Sequence, residues 1–177
     1  MKSRLIAAGA ALVLLALGSG ASGATTGGTA LENGGEGALH SLGFETFVTG
    51  KGYWFTCPTP TNTSSQPIEV LDVELVRAPA HWKTGEVRAV DTLAIGALPL
   101  GASDDDFGKT PGMEKDHSGA PVRIAPGERS PIVHLVRTEP VSSAAGRAEG
   151  CRFTYRSAHR VYVEDPGADF FFGPYPD

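Results

Sequence analysis

The sequence predicts an all-β fold, a two-sheet sandwich of about seven or eight strands with one disulfide. Three observations predict it. From Phe44 onward the chain is built of short apolar alternations broken by Gly, Pro, Asn and Ser, and no 3.6-residue period persists over a helical length. Only two cysteines occur, Cys57 and Cys151. The N-terminus has the character of an export signal, which puts that cysteine pair in an oxidising compartment.

Lys2 and Arg4 precede an apolar run from Leu5 to Leu17, and small residues follow from Gly18 to Ala24. Basic, apolar and small-residue regions in this order are those of a secretory signal peptide, residues 1–23, cut after Gly23 or after Ala24. The apolar run covers about thirteen positions, short of the roughly twenty that a spanning helix needs, so no transmembrane segment is expected after cleavage. Cleavage leaves 154 residues, enough for one domain with a sizeable core. Thirteen Lys and Arg then face 20 Asp and Glu, a net charge near −7 that argues against nucleic acid as a partner. Residues 24–38 are Gly-rich and poor in apolar side chains, which predicts a flexible linker that buries nothing. The sandwich domain is placed at 39–165 and an acidic aromatic tail at 166–177.

Residues 44–48 form a first strand. In Tyr53-Trp54-Phe55-Thr56-Cys57 the odd positions share a face, so Cys57 ends a strand toward the core, and the Pro- and hydroxyl-rich stretch to Gln66 is a loop. Residues 68–76 read as the strongest strand. Ile68 and Val70 have one parity and Leu71, Val73 and Leu75 the other, so a β-bulge near Val70 is needed to bury both sets. Residues 86–95 form a weaker strand with Val87, Val90 and Leu93 as core candidates. A short strand at 121–124 meets Ala125-Pro126-Gly127-Glu128, where Pro second and Gly third suit a type II turn. Residues 130–137 are apolar without alternation, as in a strand with its centre buried on both faces or with another slip in register, and His134 lies in its middle. Cys151, Phe153 and Tyr155 alternate with Arg152, Thr154 and Arg156, and the short connection Ser157-Ala158-His159 to Val161, Tyr162 and Val163 predicts a hairpin.

A Cys57–Cys151 bond would close a loop of about 95 residues, stabilising the chain by roughly 4–5 kcal/mol in the chain-entropy treatment. Two core-facing cysteines on early and late strands then pin one sheet to the other. With the segment 68–76, the turn 125–128 and the segment Cys151-Arg152-Phe153-Thr154-Tyr155, the chain resembles the small exported bacterial immunoglobulin-like β-sandwich proteins. That resemblance implies an immunoglobulin-like fold and an extracytoplasmic address, and no chemistry. Glu149 stands where the antibody-type pattern has a tyrosine, and Trp82 is far from Cys57.

Residues 98–119 fit no strand, and long loops of this kind in compact domains are often functional. Asp104, Asp105 and Asp106 cluster there, with Glu114 and Asp116 downstream. Consecutive aspartates point in different directions, unlike the alternating ligands of a calcium loop, so a solvated acidic loop is expected and no metal ligand is assigned. Asp116-His117-Ser118 holds the residue types of a hydrolase triad, but sequence neighbours seldom converge on one reacting atom, and no catalytic residue is assigned. The histidines, His40, His81, His117, His134 and His159, form no paired metal-ligand spacing. Met113, four before His117, is a weak copper signal. Asn62-Thr63-Ser64 matches a glycosylation acceptor. In the tail, Phe170, Phe171, Phe172 and Tyr175 are the candidate partner-binding residues, because aromatic anchors with a polar rim mark contact surfaces. The competing reading, which the sequence favours, folds 170–172 back over an edge of the sandwich.

The resulting expectation is an exported non-enzymatic protein with a binding or structural role at the cell envelope, without cofactor. Its partner would be an envelope or extracellular protein or a glycan. The alternative is an extracytoplasmic enzyme or metal-binding protein using the acidic loop 98–119.

Overall fold

The computed structural model describes residues 26–33, 41–96 and 100–174. The signal peptide, His40, Leu98 and Tyr175 lie outside them. In chain order the strands are β1 (Thr26–Gly27), β2 (Leu31–Glu32), β3 (Ser41–Phe44), β4 (Tyr53–Thr56), β5 (Thr61–Asn62), β6 (Ile68–Leu75), β7 (Trp82–Asp91), β8 (Gly101–Ser103), β9 (Val122–Ile124), β10 (Ile132–Pro140), β11 (Gly146–Ala148), β12 (Cys151–Ser157), β13 (Arg160–Glu164) and β14 (Asp169–Phe172). Two short helices, α1 (Thr92–Ile95) and α2 (Asp104–Phe107), flank β8. The all-β, sandwich-like class with one disulfide is as the sequence predicts.

A five-stranded sheet in the order β1-β13-β12-β6-β9 faces a four-stranded sheet in the order β7-β10-β4-β8. Ile68, Val70, Val73, Phe153 and Tyr155 from the first meet Tyr53, Phe55 and Val136 from the second in one core. Cys57 follows β4 and Cys151 opens β12, so their bond, with Cα atoms 5.7 Å apart, ties the two sheets together. The bulge needed near Val70 is present: Tyr155 pairs with Val70 and Thr154 with Asp72, leaving Leu71 as the extra residue. Leu71 is not buried with its neighbours, however; it is 39% exposed at the bulge. The type II turn forms, with Gly127 at φ 74° and the Glu128 N–H donating to the Ala125 carbonyl at 3.1 Å. The last hairpin turns through Ala158 and His159, as Ser157 pairs with Arg160.

Strand β10 is buried on both faces, and the second face has a specific cause. Val133 and Leu135 point away from the main core into a smaller cluster with Trp54, Val90, Phe107 and Met113. Phe107 and Met113 come from the segment 98–119, which therefore packs across the outer face of the four-stranded sheet and is not a solvated loop throughout. Phe107 stacks on Trp54 at 4.2 Å between ring centroids, and the Arg88 guanidinium lies over both rings.

Several expectations need correction. The weak strand starts earlier, at Trp82, and ends at Asp91, whose carboxylate accepts from the Leu93 and Ala94 N–H groups as the N-cap of α1. Leu93 thus sits on α1 at 82% exposure, outside the core. The strand expected at 44–48 lies at Ser41–Phe44, as β3. The expected linker is in part structural: β1 adds in parallel to β13, β2 pairs with β5, and Leu31 enters the core at 6% exposure. Glu164 makes this possible by accepting from the N–H groups of Ala30 (2.9 Å) and Leu31 (3.1 Å), satisfying donors that a Gly-rich segment cannot pair regularly.

The tail is likewise part of the domain. Strand β14 lies between β11 and β3, with Phe170 and Phe172 at 0% exposure. Phe172 packs against Phe44, Tyr53, Phe55 and Trp82. Phe170, Phe171 and Phe172 are therefore buried in the domain and unavailable to a partner, because large aromatic rings gain more from burial against the sandwich than from exposure on a tail.

Candidate ligand site between the sheet edges

Strand β9 is only three residues long and covers β6 from Ile68 to Val70. Beyond the bulge the edge of β6 has no neighbour on that side among the described residues, and β7 is an edge of the facing sheet. Where the two edges part, a crevice of about 230 Å³ opens. The bulge supplies Leu71 and Asp72 to its mouth, Val73 and Val87 line its walls, and Ser118 and His134 supply polar groups. Bulges recur beside functional sites because they re-aim side chains at a sheet edge.

His134 is the unusual member. It is 7% exposed on the inner face of β10, its ring meets Phe153 edge-on at 5.9 Å, and its Nδ1 is buried without a hydrogen-bond partner. Burial depresses its pKa to about 4, with the Asp116 charge acting weakly the other way, so the ring is neutral at pH 7. The neutral ring carries one lone-pair acceptor and one N–H donor.

Asp116 holds the rim. Its Oδ1 accepts from the Ala89 N–H (3.0 Å) and the Ser118 N–H (2.9 Å), and its Oδ2 accepts from the Ser118 hydroxyl (2.8 Å). The His117 N–H donates to the Ala89 carbonyl at 2.8 Å, completing a bridge from the loop to the β7 edge. Burial raises the Asp116 pKa, but the hydrogen bonds from Ala89 and Ser118 outweigh it and leave the group below the ordinary carboxylate range. The triad-like run is thus a loop anchor. Ser118 is bonded directly to Asp116, with no imidazole between them, so the proton relay of a hydrolase is not assembled.

The acidic cluster is dispersed as consecutive aspartates on a short helix must be. Asp104 accepts from Arg137 Nη2 (2.6 Å) and from the Trp54 indole N–H (3.0 Å), and the Arg137 hydrogen bond holds its pKa low. Asp105 pairs with Lys51 at 2.6 Å. Asp106 takes Lys109 at 2.9 Å and the Ser103 hydroxyl at 2.7 Å. Three carboxylates serve three cations, and Met113 packs in the outer cluster. Asn62 is fully buried: its amide donates to the carbonyls of Gln66 (2.8 Å) and Ile124 (3.1 Å), while its oxygen accepts from Ser64. The glycosylation signal therefore falls on a structural side chain whose nitrogen faces the interior.

Sequence reasoning noticed His134 but not its setting. The available signals were a histidine centred in an apolar strand and a parity slip at Val70; what joins them is the pairing of β6 and β10 across the sandwich.

No family model matches the chain, and no curated protein matches it. Among solved structures the chain is similar to the VesB protease of Vibrio cholerae, with a TM-score of 0.36 and 12% identity over 77% of this chain and 30% of that one. The chain spans less than a third of that protease's length, and the likeness is too slight to transfer an activity.

Proposed function

We propose that the chain is an exported, non-enzymatic immunoglobulin-like module with a binding role at the cell envelope. The observation that carries the binding role is the crevice between the edges of β6 and β7, which ends on a buried imidazole with an unbonded nitrogen. Mostly apolar clefts with a few placed polar groups are the usual form of ligand sites. Export is supported by the signal-like residues 1–23 and by a disulfide, which persists in oxidising compartments. The immunoglobulin-like plan is supported by a disulfide that joins two facing sheets.

A photo-cross-linking side chain at Ala120, which lines the crevice, tests the reading in intact cells. We expect the protein in the envelope or extracellular fraction, with a cross-linked product from Ala120 and none from a control label at Lys83 on the far part of β7. Recovery of reduced protein in the cytoplasm, or identical capture from both labels, overturns it.

A further inference from the structure

Resting on that reading, the lining of the crevice goes further and names the chemistry of its occupant. We infer that it binds a small primary ammonium group carried on a short, branched apolar body. Its lining carries negative charge and no cation. Asp72, at the mouth, is exposed and has no ion-pair partner among the described interactions. The Ser118 hydroxyl has committed its proton to Asp116 Oδ2, so only its oxygen lone pairs face outward. His134 is neutral and lines the crevice, so its ring meets a ligand as acceptor or as donor according to which nitrogen carries the proton. No Lys or Arg lines this crevice among the described residues; Arg123 lines the adjoining cleft with Asp116 and His117, and the Arg88 charge acts on Asp116.

Acceptors need donors, and carboxylates need cations. An ammonium supplies three N–H donors and a positive charge in one compact head, which matches a hydroxyl oxygen, an imidazole nitrogen and the Asp72 and Asp116 charges. A carboxylate head is disfavoured by the Asp72 and Asp116 charges and brings no donor for the Ser118 oxygen. Val70, Val73, Val87 and Ala120 give the walls that receive the apolar body.

The test uses the purified folded protein at pH 7 and low salt, with isobutylamine, isobutanol and isovalerate as probes of similar shape and different head. We expect isobutylamine to shift the His134 ring and Val73 and Val87 methyl resonances saturably, isobutanol to act more weakly and isovalerate not at all. Asp72→Asn, at an exposed position that the fold does not need, weakens the amine by about fivefold and leaves the alcohol unchanged. His134→Phe abolishes both. Equal binding of isovalerate, amine binding indifferent to Asp72→Asn, or no saturable shift with isobutylamine overturns the inference. Capture from Ala120 in cells without amine binding overturns this inference alone and leaves the envelope-binding role standing.

Discussion

The Cys57 N–H donates to the His134 carbonyl at 2.8 Å. The disulfide and the buried imidazole therefore belong to one pair of adjacent strands: the covalent tie between the sheets holds the backbone that carries the crevice's central polar group.

Replacing both cysteines with alanine should lower unfolding free energy by about 4 kcal/mol, because the cross-link spans 94 residues and constrains the unfolded chain. Urea denaturation of oxidised parent and variant measures this. Thiol titration of the folded parent should find no reactive cysteine; two would show that the bond is not formed.

Stability should fall with acid through His134. Its folded pKa, about 4, lies below the unfolded value of 6.5, so the unfolded chain takes the proton first. The stability present above pH 6.5 is lost as the pH drops toward 4, by about 3 kcal/mol at most. Asp116, whose folded pKa is also lowered, adds to the loss in the same direction, so the comparison is with His134→Phe. That variant should show a flatter profile between pH 6.5 and 4, and an unchanged slope would refute the assignment.

Asn62→Ala should cost about 2–3 kcal/mol, since it strands the Ile124 and Gln66 carbonyls and the Ser64 donors. Thermal unfolding checks it. Thr63→Ala, at an exposed neighbour, leaves the Asn62 bonds intact and should keep stability within about 0.5 kcal/mol, which assigns the loss to the Asn62 amide itself.

Phe172→Ala should cost about 3–5 kcal/mol, the range for removing a buried phenyl ring. A chain ending after Asp165 should lose cooperative unfolding altogether, because Phe170 leaves with Phe172. Near-UV circular dichroism reads both. A truncated chain that keeps its native spectrum would return the tail to the surface.

Periodicity made the strands legible. Alternation around Cys57 and Cys151, the parity slip at Val70 and the Pro-Gly turn at 126–127 are local signals, written by backbone geometry within a few residues. The apolar run at 132–136 was equally readable, although its second neighbour was not. Leu93 was misplaced because an apolar residue after a strand looks like its continuation; the capping Asp91 ends the strand one turn earlier.

By itself, then, the sequence determined the all-β class, the bulge, the hairpin and the cysteine pair, since each rests on period, turn chemistry or count. Only the tertiary structure decided that Leu31 and 170–172 belong to the core, that the aspartates part toward Lys51, Arg137 and Lys109, that Asn62 turns inward, and that a crevice ends on His134. Those are contacts between residues far apart in the chain. Their energies depend on which strand edges meet and what is left uncovered, and no local pattern encodes that.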